Sequence, residues 1–219
     1  RDVMKGFRGR EMKRRKLGGG ADRIAVQRVD LRGAEAVRAV FAGQNFDVGV
    51  DLAARAGVRP SLRDPQLYYD TNVDGTLHLL EAARAIGLKR FIFASSSSVY
   101  GLAKTVPFSE DLHLTQTVSP YAATKIAGEF LCSTYSHLYQ MRVVALRFFT
   151  VSGPRQRPDW AIHQLPRRVW NGKPIAQSGD GTTRRDYTYV DDIIQGRLTA
   201  FNYEGPFFDT FNLRNNHTS

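Results

Sequence analysis

Residues 119–125, Ser119-Pro120-Tyr121-Ala122-Ala123-Thr124-Lys125, begin a long helical pattern from which the rest of the chain can be interpreted. Tyr121 and Lys125 are four residues apart, so both lie on one helix face with about 5–6 Å between their Cβ atoms. An ammonium group near a phenol favours the phenolate, and Lys125 is therefore expected to lower the pKa of Tyr121 from its ordinary value of about 10. The pair alone is a weak signal, because a packing tyrosine beside a solvated lysine has the same spacing.

A run of four serines lies upstream, in Phe93-Ala94-Ser95-Ser96-Ser97-Ser98-Val99-Tyr100-Gly101. It follows an almost wholly apolar strand pattern at residues 89–94, which is typical of a sheet covered on both faces. Four serines contribute nothing to a core, and they suit the carboxyl end of such a strand. A serine hydroxyl there can share a substrate oxygen with the Tyr121 phenol. Together the two groups would supply the base and acid for the interconversion of an alcohol and a ketone.

Strand and helix patterns alternate along the first 150 residues. This alternation is typical of a parallel sheet with right-handed crossovers, in which ligands bind beyond the carboxyl ends of the strands. We therefore expect an α/β fold with a Rossmann-like doubly wound parallel sheet. The predicted strands are residues 24–29, 47–53, 89–94 and 142–148, and the predicted helices are residues 34–44, 64–86 and 120–140.

The pattern changes after residue 151. A helix is predicted over residues 160–171 with an interruption at Pro166, and a second over residues 191–203. Short strands are predicted at residues 173–175, 184–190 and 210–213, with a turn at residues 179–181. We interpret residues from 152 onward as a small substrate-facing lobe.

Composition places limits on the class of protein. With 219 residues, 42% of them hydrophobic, the chain can bury a sizeable core and is not disordered. The one cysteine, Cys132, excludes an internal disulfide and suits a reducing compartment; its neighbours indicate a buried helix thiol. No apolar run reaches the roughly 20 residues of a membrane span, and residues 1–20 lack the apolar segment of a signal peptide. We expect a cytoplasmic protein without a membrane partner.

The net charge of +10 is concentrated at the start of the chain, where residues 1–20 contain eight basic and two acidic residues. A basic run can bind nucleic acid. No interleaved aromatic residues and no zinc-ligand spacing accompany it, so a solvated basic helix is the favoured interpretation. Neither a nucleic-acid partner nor a metal is expected.

Further motifs occur in a fixed order around the serine run and the Tyr121–Lys125 pair. They are Asp30-Leu31, Leu52-Ala53-Ala54, Asn72-Val73, Arg147-Phe148-Phe149 and Arg185-Asp186-Tyr187. From residue 30 to residue 215 the chain resembles the extended short-chain dehydrogenase/reductases that act on nucleotide sugars, the NAD-dependent epimerase/dehydratase family. Within this family it looks most like the UDP-glucuronate 4-epimerases.

The resemblance implies a catalytic set and a cofactor. Tyr121 matches the catalytic base, Lys125 the residue that lowers its pKa and holds the nicotinamide ribose, and Ser96 the hydroxyl that bonds the reacting sugar oxygen. The implied cofactor is NAD, with its adenine at Asp30 and Leu31. The remaining cofactor-binding residues implied are Leu52, Ala53, Ala54 and Asn72.

The resemblance also implies a UDP-sugar substrate. Ser97 and Ser98 would contact it at positions where the dehydratases of the family have Asp-Glu. Serines do not serve as general acids at neutral pH, so these positions favour epimerisation, which needs only a hydride and one proton. The other implied substrate residues are Arg185 for the diphosphate, Thr150 and Arg157 for a sugar carboxylate, and Arg59 as a further candidate. A surface arginine after a turn is the alternative interpretation of Arg157.

The implied function is NAD-dependent 4-epimerisation of a UDP-sugar, UDP-glucuronate, through a 4-keto intermediate, for polysaccharide biosynthesis. Residues 1–151 would form a partial NAD-binding domain and residues 152–219 a partial substrate-binding lobe. Members of the family pair as homodimers through the helices at about residues 64–86 and 120–140. The alternatives are another nucleotide-sugar reductase or dehydratase, or a non-catalytic truncated remnant.

The sequence departs from the family pattern at several points. The strand, Gly-x-x-Gly-x-x-Gly turn and helix that receive the pyrophosphate are not found in the 219 residues, and the C-terminal end stops before the last substrate-binding segment. We therefore expect this chain, as given, to bind NAD poorly or not at all. Asp51 stands where a histidine is usual, and Ser152 where a tyrosine is usual.

Overall fold

A computed structural model describes residues 25–158, 160–175, 180 and 184–215. The basic segment at residues 1–20 lies outside the described residues, as does the turn predicted at residues 179–181 apart from Asp180. Among the described residues, no helix has both the length and the apolar character needed to cross a membrane.

The main sheet has four parallel strands, which confirms the predicted α/β class. Its spatial order is β1-β2-β3-β6, and a separate two-stranded parallel sheet contains β4 and β5. The strands are β1 (Gly49–Asp51), β2 (Arg90–Ser96), β3 (Arg142–Phe148), β4 (Thr150–Ser152), β5 (Tyr187–Tyr189) and β6 (Phe208–Leu213).

Seven α-helices accompany the strands in the described part of the chain. Two shorter helical segments join them, a π-helical segment at Asp70–Asp74 and a 3₁₀ turn at Ser97–Tyr100. The α-helices are α1 (Ala34–Phe41), α2 (Val58–Arg63), α3 (Pro65–Tyr69), α4 (Gly75–Ala85), α5 (Pro120–Tyr139), α6 (Ala161–Trp170) and α7 (Val190–Phe201).

Alternate residues of β2 build a core on each face of the sheet, as the two-residue period of a strand requires. Phe91 and Phe93 pack on one face with residues of α4 and α5, including the buried Cys132. Ile92 packs on the other face, where Phe201 of α7 covers it. Helices on both faces explain why the central residues of the two strands, 91–94 in β2 and 143–146 in β3, are apolar.

Because the strands of the main sheet are parallel, their carboxyl ends meet at one edge of the sheet. Asp51 pairs in register with Phe93, and Ser95 and Ser96 of β2 pair with Arg147 and Phe148 of β3. The short sheet of β4 and β5 begins two residues beyond β3. These pairings bring the predicted site residues of three strands together.

Three local predictions were wrong. Residues 25–29 form no strand: Val26 is 51% exposed, and no strand lies beside this segment in the described part of the chain. Residues 173–175 form no strand either. Helix α6 continues through Pro166, which has no N–H to donate to the carbonyl of Ile162 four residues earlier. Because Ile162 is exposed, that carbonyl can accept a hydrogen bond from water instead.

The division at residues 151 and 152 also differs from the observed packing. Strand β6 pairs with β3 in the main sheet along Val143 to Phe148, although it was assigned to the substrate lobe. Helix α7 likewise covers the main sheet. The physical reason is that β6 completes the hydrogen bonding of β3, whose other edge β2 already occupies. A separate substrate-binding lobe stays a prediction.

Candidate active site

The structure brings Ser96 and Tyr121 together at the carboxyl end of β2. Ser119 caps α5 by accepting a hydrogen bond from the Ala122 N–H at 3.1 Å, and this places Tyr121 in the first helical turn. Ser96 is the last residue of β2, and its Oγ accepts hydrogen bonds from the Ser98 N–H at 3.2 Å and from Ser98 Oγ at 2.9 Å. Ser96 lies close enough to Tyr121 to influence the pKa of its phenol.

The expected effect of Lys125 on Tyr121 is not found. Burial raises the pKa of the Tyr121 phenol above its ordinary value, while the neighbouring Ser96 side chain and the charge of Arg157 act in the lowering direction. Lys125 does not contribute, because its Nζ is directed at the sheet and donates a hydrogen bond to the Ala94 carbonyl at 2.6 Å. In this structure the phenol is protonated at neutral pH.

Lys125 is buried, and Asp51 is an acidic residue near enough to influence it. The Lys125 Nζ lies 4.9 Å from the ring centroid of Phe93, the residue that pairs with Asp51 across the strands. Burial lowers the pKa of Lys125, and the negative charge of Asp51 raises it. Burial likewise raises the pKa of Asp51, against the effect of Lys125. Asp51 was noticed in the sequence only as a departure from a family pattern.

Asn72 fixes the loop that follows β1. Its Oδ1 accepts from the Arg55 N–H at 2.7 Å, and its Nδ2 donates to the Arg55 carbonyl and to Thr124 Oγ1, both at 3.0 Å. These bonds occupy the side-chain amide of the buried Asn72, so it shapes the predicted cofactor site through the loop. In that loop Leu52 is exposed, and Ala53 and Ala54 are half-buried.

Asp30 lines an open cavity of about 520 Å³, and Leu31 is its neighbour in the chain. The Arg32 guanidinium bonds both carboxylate oxygens of Asp30 and holds the pKa of that carboxyl well below its usual range. The Leu31 carbonyl accepts a hydrogen bond from His78 Nδ1 at 2.7 Å. The cavity lining is Asp30, Arg32, Gly33, Asp70 and Asp74.

Arg157 lies near Tyr121, and Tyr68 stands between the two. Arg157 donates to the Ala56 carbonyl at 3.4 Å, and the Tyr68 hydroxyl donates to the same carbonyl at 3.0 Å. The rings of Tyr68 and Tyr121 pack edge to face with centroids 6.2 Å apart. Tyr68 was not among the site residues predicted from the sequence. The only signal for it there is its place in the predicted helix at residues 64–86, which Asp64 caps.

The other predicted substrate residues are spread more widely. Ser97 and Ser98 are half-buried at the start of the 3₁₀ turn, and Thr150 is half-buried in β4. Arg59 and Arg185 are exposed. Within the described ranges, no hydrogen bond or ion pair ties either arginine to the serine–tyrosine pair.

Chemically, the arrangement can exchange a proton with a substrate hydroxyl. Two hydroxyl groups lie side by side at the sheet edge, and one of them is a phenol. The buried ammonium of Lys125 lies one turn further along α5, and Arg157 lies near the phenol. Such a group of residues suits an alcohol substrate that also carries negative charge.

Two curated proteins are similar in sequence to this chain. A UDP-glucuronate 4-epimerase of Thermodesulfobacterium geofontis is 41% identical over 180 residues, which are 82% of this chain and 55% of that protein. UDP-glucuronate 4-epimerase 1 of Arabidopsis thaliana is 43% identical over 187 residues, 83% of this chain and 43% of that protein. The chain thus spans about half the length of the curated relatives it matches.

A solved structure and a family profile complete the comparison. The crystal structure of a UDP-glucuronic acid 4-epimerase mutant from Bacillus cereus, in complex with UDP-4-deoxy-4-fluoro-glucuronic acid and NAD, is similar with a TM-score of 0.84 and 38% identity. The similarity covers 95% of this chain and 64% of that one. The profile of the NAD dependent epimerase/dehydratase family matches residues 5–213. The resemblance predicted from the sequence is confirmed, and the chain belongs to the NAD-dependent epimerase/dehydratase family.

Proposed function

We propose that the protein is an NAD-dependent UDP-sugar 4-epimerase that acts on UDP-glucuronate. The observation that carries the proposal is that the Ser96 and Tyr121 hydroxyl groups lie together at the carboxyl end of β2. Relatives named UDP-glucuronate 4-epimerases, 41% and 43% identical, support the choice of substrate. We infer that the protein is soluble and cytoplasmic and that its product is used in polysaccharide biosynthesis.

The described residues fit the nucleoside parts of NAD. The cavity beside Asp30 is lined by three aspartates and one arginine, and carboxylates accept hydrogen bonds from ribose hydroxyls. The same acidic lining does not suit a pyrophosphate. Asp30 and Leu31 would hold the adenosine, residues 52–54 the middle of the cofactor, and Lys125 the nicotinamide ribose. That the 219 residues alone bind NAD poorly stays a prediction, which a titration with NAD decides.

In the proposed mechanism, Tyr121 takes the proton of the sugar C4 hydroxyl and later returns it. Ser96 donates a hydrogen bond to the same oxygen while the carbonyl of the 4-keto intermediate forms. Bound NAD⁺ supplies the acceptor, and then the donor, of the C4 hydride. Since burial raises the pKa of Tyr121, the phenol needs positive charge close to its oxygen before it can act as a base near neutral pH.

Ser97 and Ser98 support epimerisation over dehydration, because neither can protonate a departing hydroxide at neutral pH. Arg157 and Thr150 are proposed to meet the sugar carboxylate. Arg185 is proposed to meet the diphosphate, where a planar guanidinium matches phosphate oxygens. Arg59 is a further candidate for the carboxylate.

The direct test follows products by NMR. The chain, and any longer gene product that contains it, is incubated with NAD and either UDP-glucuronate or UDP-glucose. We expect UDP-glucuronate to be converted into its C4 epimer. Conversion of UDP-glucose alone would contradict the carboxylate assignment, and a 4-keto-6-deoxy product would show a dehydratase.

Arg157→Met tests the carboxylate contact. Loss of a charge-assisted hydrogen bond costs about 1.5–3 kcal/mol, which corresponds to roughly a 10- to 100-fold higher KM for UDP-glucuronate. The thermal unfolding midpoint should not change, because Arg157 is exposed. Arg63→Met, at an exposed arginine of α2, is the matched control. Equal KM values for Arg157→Met and the control would leave Arg157 as a surface arginine.

We also infer a homodimer through the helices at about residues 64–86 and 120–140. Large apolar side chains are exposed there: Tyr69 at 42%, Phe130 at 67% and Leu138 at 60%. Exposed apolar groups of this size on adjacent helices suit an interface between two copies.

Phe130→Glu is expected to shift the protein to a monomer in light scattering, since it puts a charge at the centre of this surface. Trp170→Glu, at an 89% exposed residue of α6, should leave the dimer unchanged. A monomeric wild-type protein would contradict the inference.

A further inference from the structure

A buried ion pair between Glu129 and Arg147 lies close to the serine–tyrosine pair. Glu129 is one helical turn beyond Lys125 on α5, and Arg147 is on β3. The Arg147 Nε lies 3.0 Å from Glu129 Oε1 and one terminal guanidinium nitrogen 2.8 Å from Oε2, a two-point contact. The side chains are only 5% and 9% exposed.

The same pair reaches β2. Ser95 pairs with Arg147 across the strands, and its hydroxyl donates to Glu129 Oε1. Three successive turns of α5 are thus joined to three successive residues of β2. The contacts are Tyr121 with Ser96, Lys125 with Ala94, and Glu129 with Ser95. They fix how far the helix lies along the strand.

Arg147 also holds the loop at residues 101–118. Its second terminal nitrogen donates to the Tyr100 hydroxyl at 3.0 Å and to the Glu110 carbonyl at 3.3 Å. The Tyr100 hydroxyl donates to Asn212 at 2.6 Å, and Asn212 donates to the Phe108 carbonyl at 3.0 Å. One guanidinium therefore connects the helix, the sheet edge and the loop.

Stability alone does not account for this arrangement. Burying two charges costs several kcal/mol each, and apolar residues of similar volume often replace a buried ion pair without loss of stability. A charged pair with directional hydrogen bonds does, however, select one relative position of the elements that it joins. An apolar contact tolerates small shifts between them.

We propose that Glu129 and Arg147 are positioning residues, which keep α5 and the loop at residues 101–118 in the register that brings Tyr121 to Ser96. The inference deepens the proposed function and rests on it. Neither residue touches the reacting atoms. Their effect on catalysis passes through the distance between the two hydroxyl groups.

The experiment compares Glu129→Gln with the double variant Glu129→Gln/Arg147→Met in the longest gene product that contains this chain. The single variant leaves a buried arginine without its carboxylate, so its stability falls. The double variant removes that charge, and we expect its unfolding midpoint to recover. Its kcat is expected to remain at least tenfold below wild type, with KM within about twofold. Recovery of kcat together with stability would show a purely structural pair and overturn the proposal.

Glu204→Gln is the matched control. It breaks the ion pair with Arg90 at the opposite end of the strands, where Glu204 is 67% exposed. Its kcat, KM and unfolding midpoint should stay near wild type.

A second measurement does not depend on activity. Trypsin cleavage after the exposed Lys104, followed by mass spectrometry, reports whether the loop is held. We expect cleavage at least several-fold faster in the double variant than in wild type at equal stability, and unchanged cleavage in Glu204→Gln. Unchanged cleavage in the double variant overturns the positioning role. If the wild-type protein is inactive but the double variant is still cleaved faster than wild type, the proposed function is overturned and the positioning role of the ion pair is kept.

Discussion

Tyr121→Phe is expected to lower the turnover of UDP-glucuronate by about 10²–10⁴-fold, the range that a general acid–base group contributes. The substitution removes one oxygen, the atom proposed to take the C4 proton, and leaves the ring against Tyr68 in place. The unfolding free energy should change by about 1 kcal/mol at most, since only the polar interaction of the phenol oxygen with Ser96 is lost. The NMR assay gives the rate, and thermal unfolding gives the stability.

Tyr139→Phe is the matched control for that experiment. Tyr139 is an exposed tyrosine of the same helix, 18 residues further along, so its hydroxyl is remote from Ser96. Its turnover should equal that of wild type. Turnover by Tyr121→Phe within threefold of wild type would remove Tyr121 from the mechanism.

Gly128→Val is expected to destabilise the fold by about 3 kcal/mol, the upper part of the range for overpacking. A Cβ atom at Gly128 would lie 2.3 Å from Phe93 Cζ. Phe93 is buried in the centre of β2 and cannot move aside without shifting the core. Valine is a better helix former than glycine, so helix propensity alone predicts a small gain in stability. The sign of the measured change therefore separates the two effects.

Ala127→Val, at the neighbouring half-buried residue, is the control for the valine side chain in this helix. It should cost well under 1 kcal/mol from helix propensity. Chemical denaturation of both variants gives the two free energies. Equal values would show that α5 and β2 can separate at Gly128 without cost.

The elements set by local sequence were predicted closely. Strand β3 has the bounds predicted for it, and α5 ends one residue before the predicted residue 140. Ser119 and Pro120 determine where that helix begins, and these signals lie within a few residues of the element. Residues 25–29 show the opposite case. Their apolar pattern is local, but a strand also needs a neighbour, and that neighbour is not encoded in the pattern.

The site was predicted in part for the same reason. The spacing of Tyr121 and Lys125 placed both on one helix face, but it did not reveal that the Lys125 ammonium is directed at Ala94. That direction depends on the packing of α5 against β2, which brings Ala94, 31 residues away in sequence, next to the ammonium. Glu129 and Arg147 were missed as a pair because only the packing of α5 on the sheet brings them together.

The π-helical segment at Asp70–Asp74 makes one region of the chain intolerant of changes in length. It joins α3 to α4 with wider turns than an α-helix, and within it lies Asn72, whose amide holds the loop after β1. Deleting a single residue there would restore an α-helix whose four remaining residues turn through nearly the same angle, so the flanking side chains would keep their directions while the residues within the segment would shift. Asn72 would then leave the position from which its amide holds the loop. Natural variation in this helix should therefore consist of substitutions, with insertions and deletions confined to the loops at its ends.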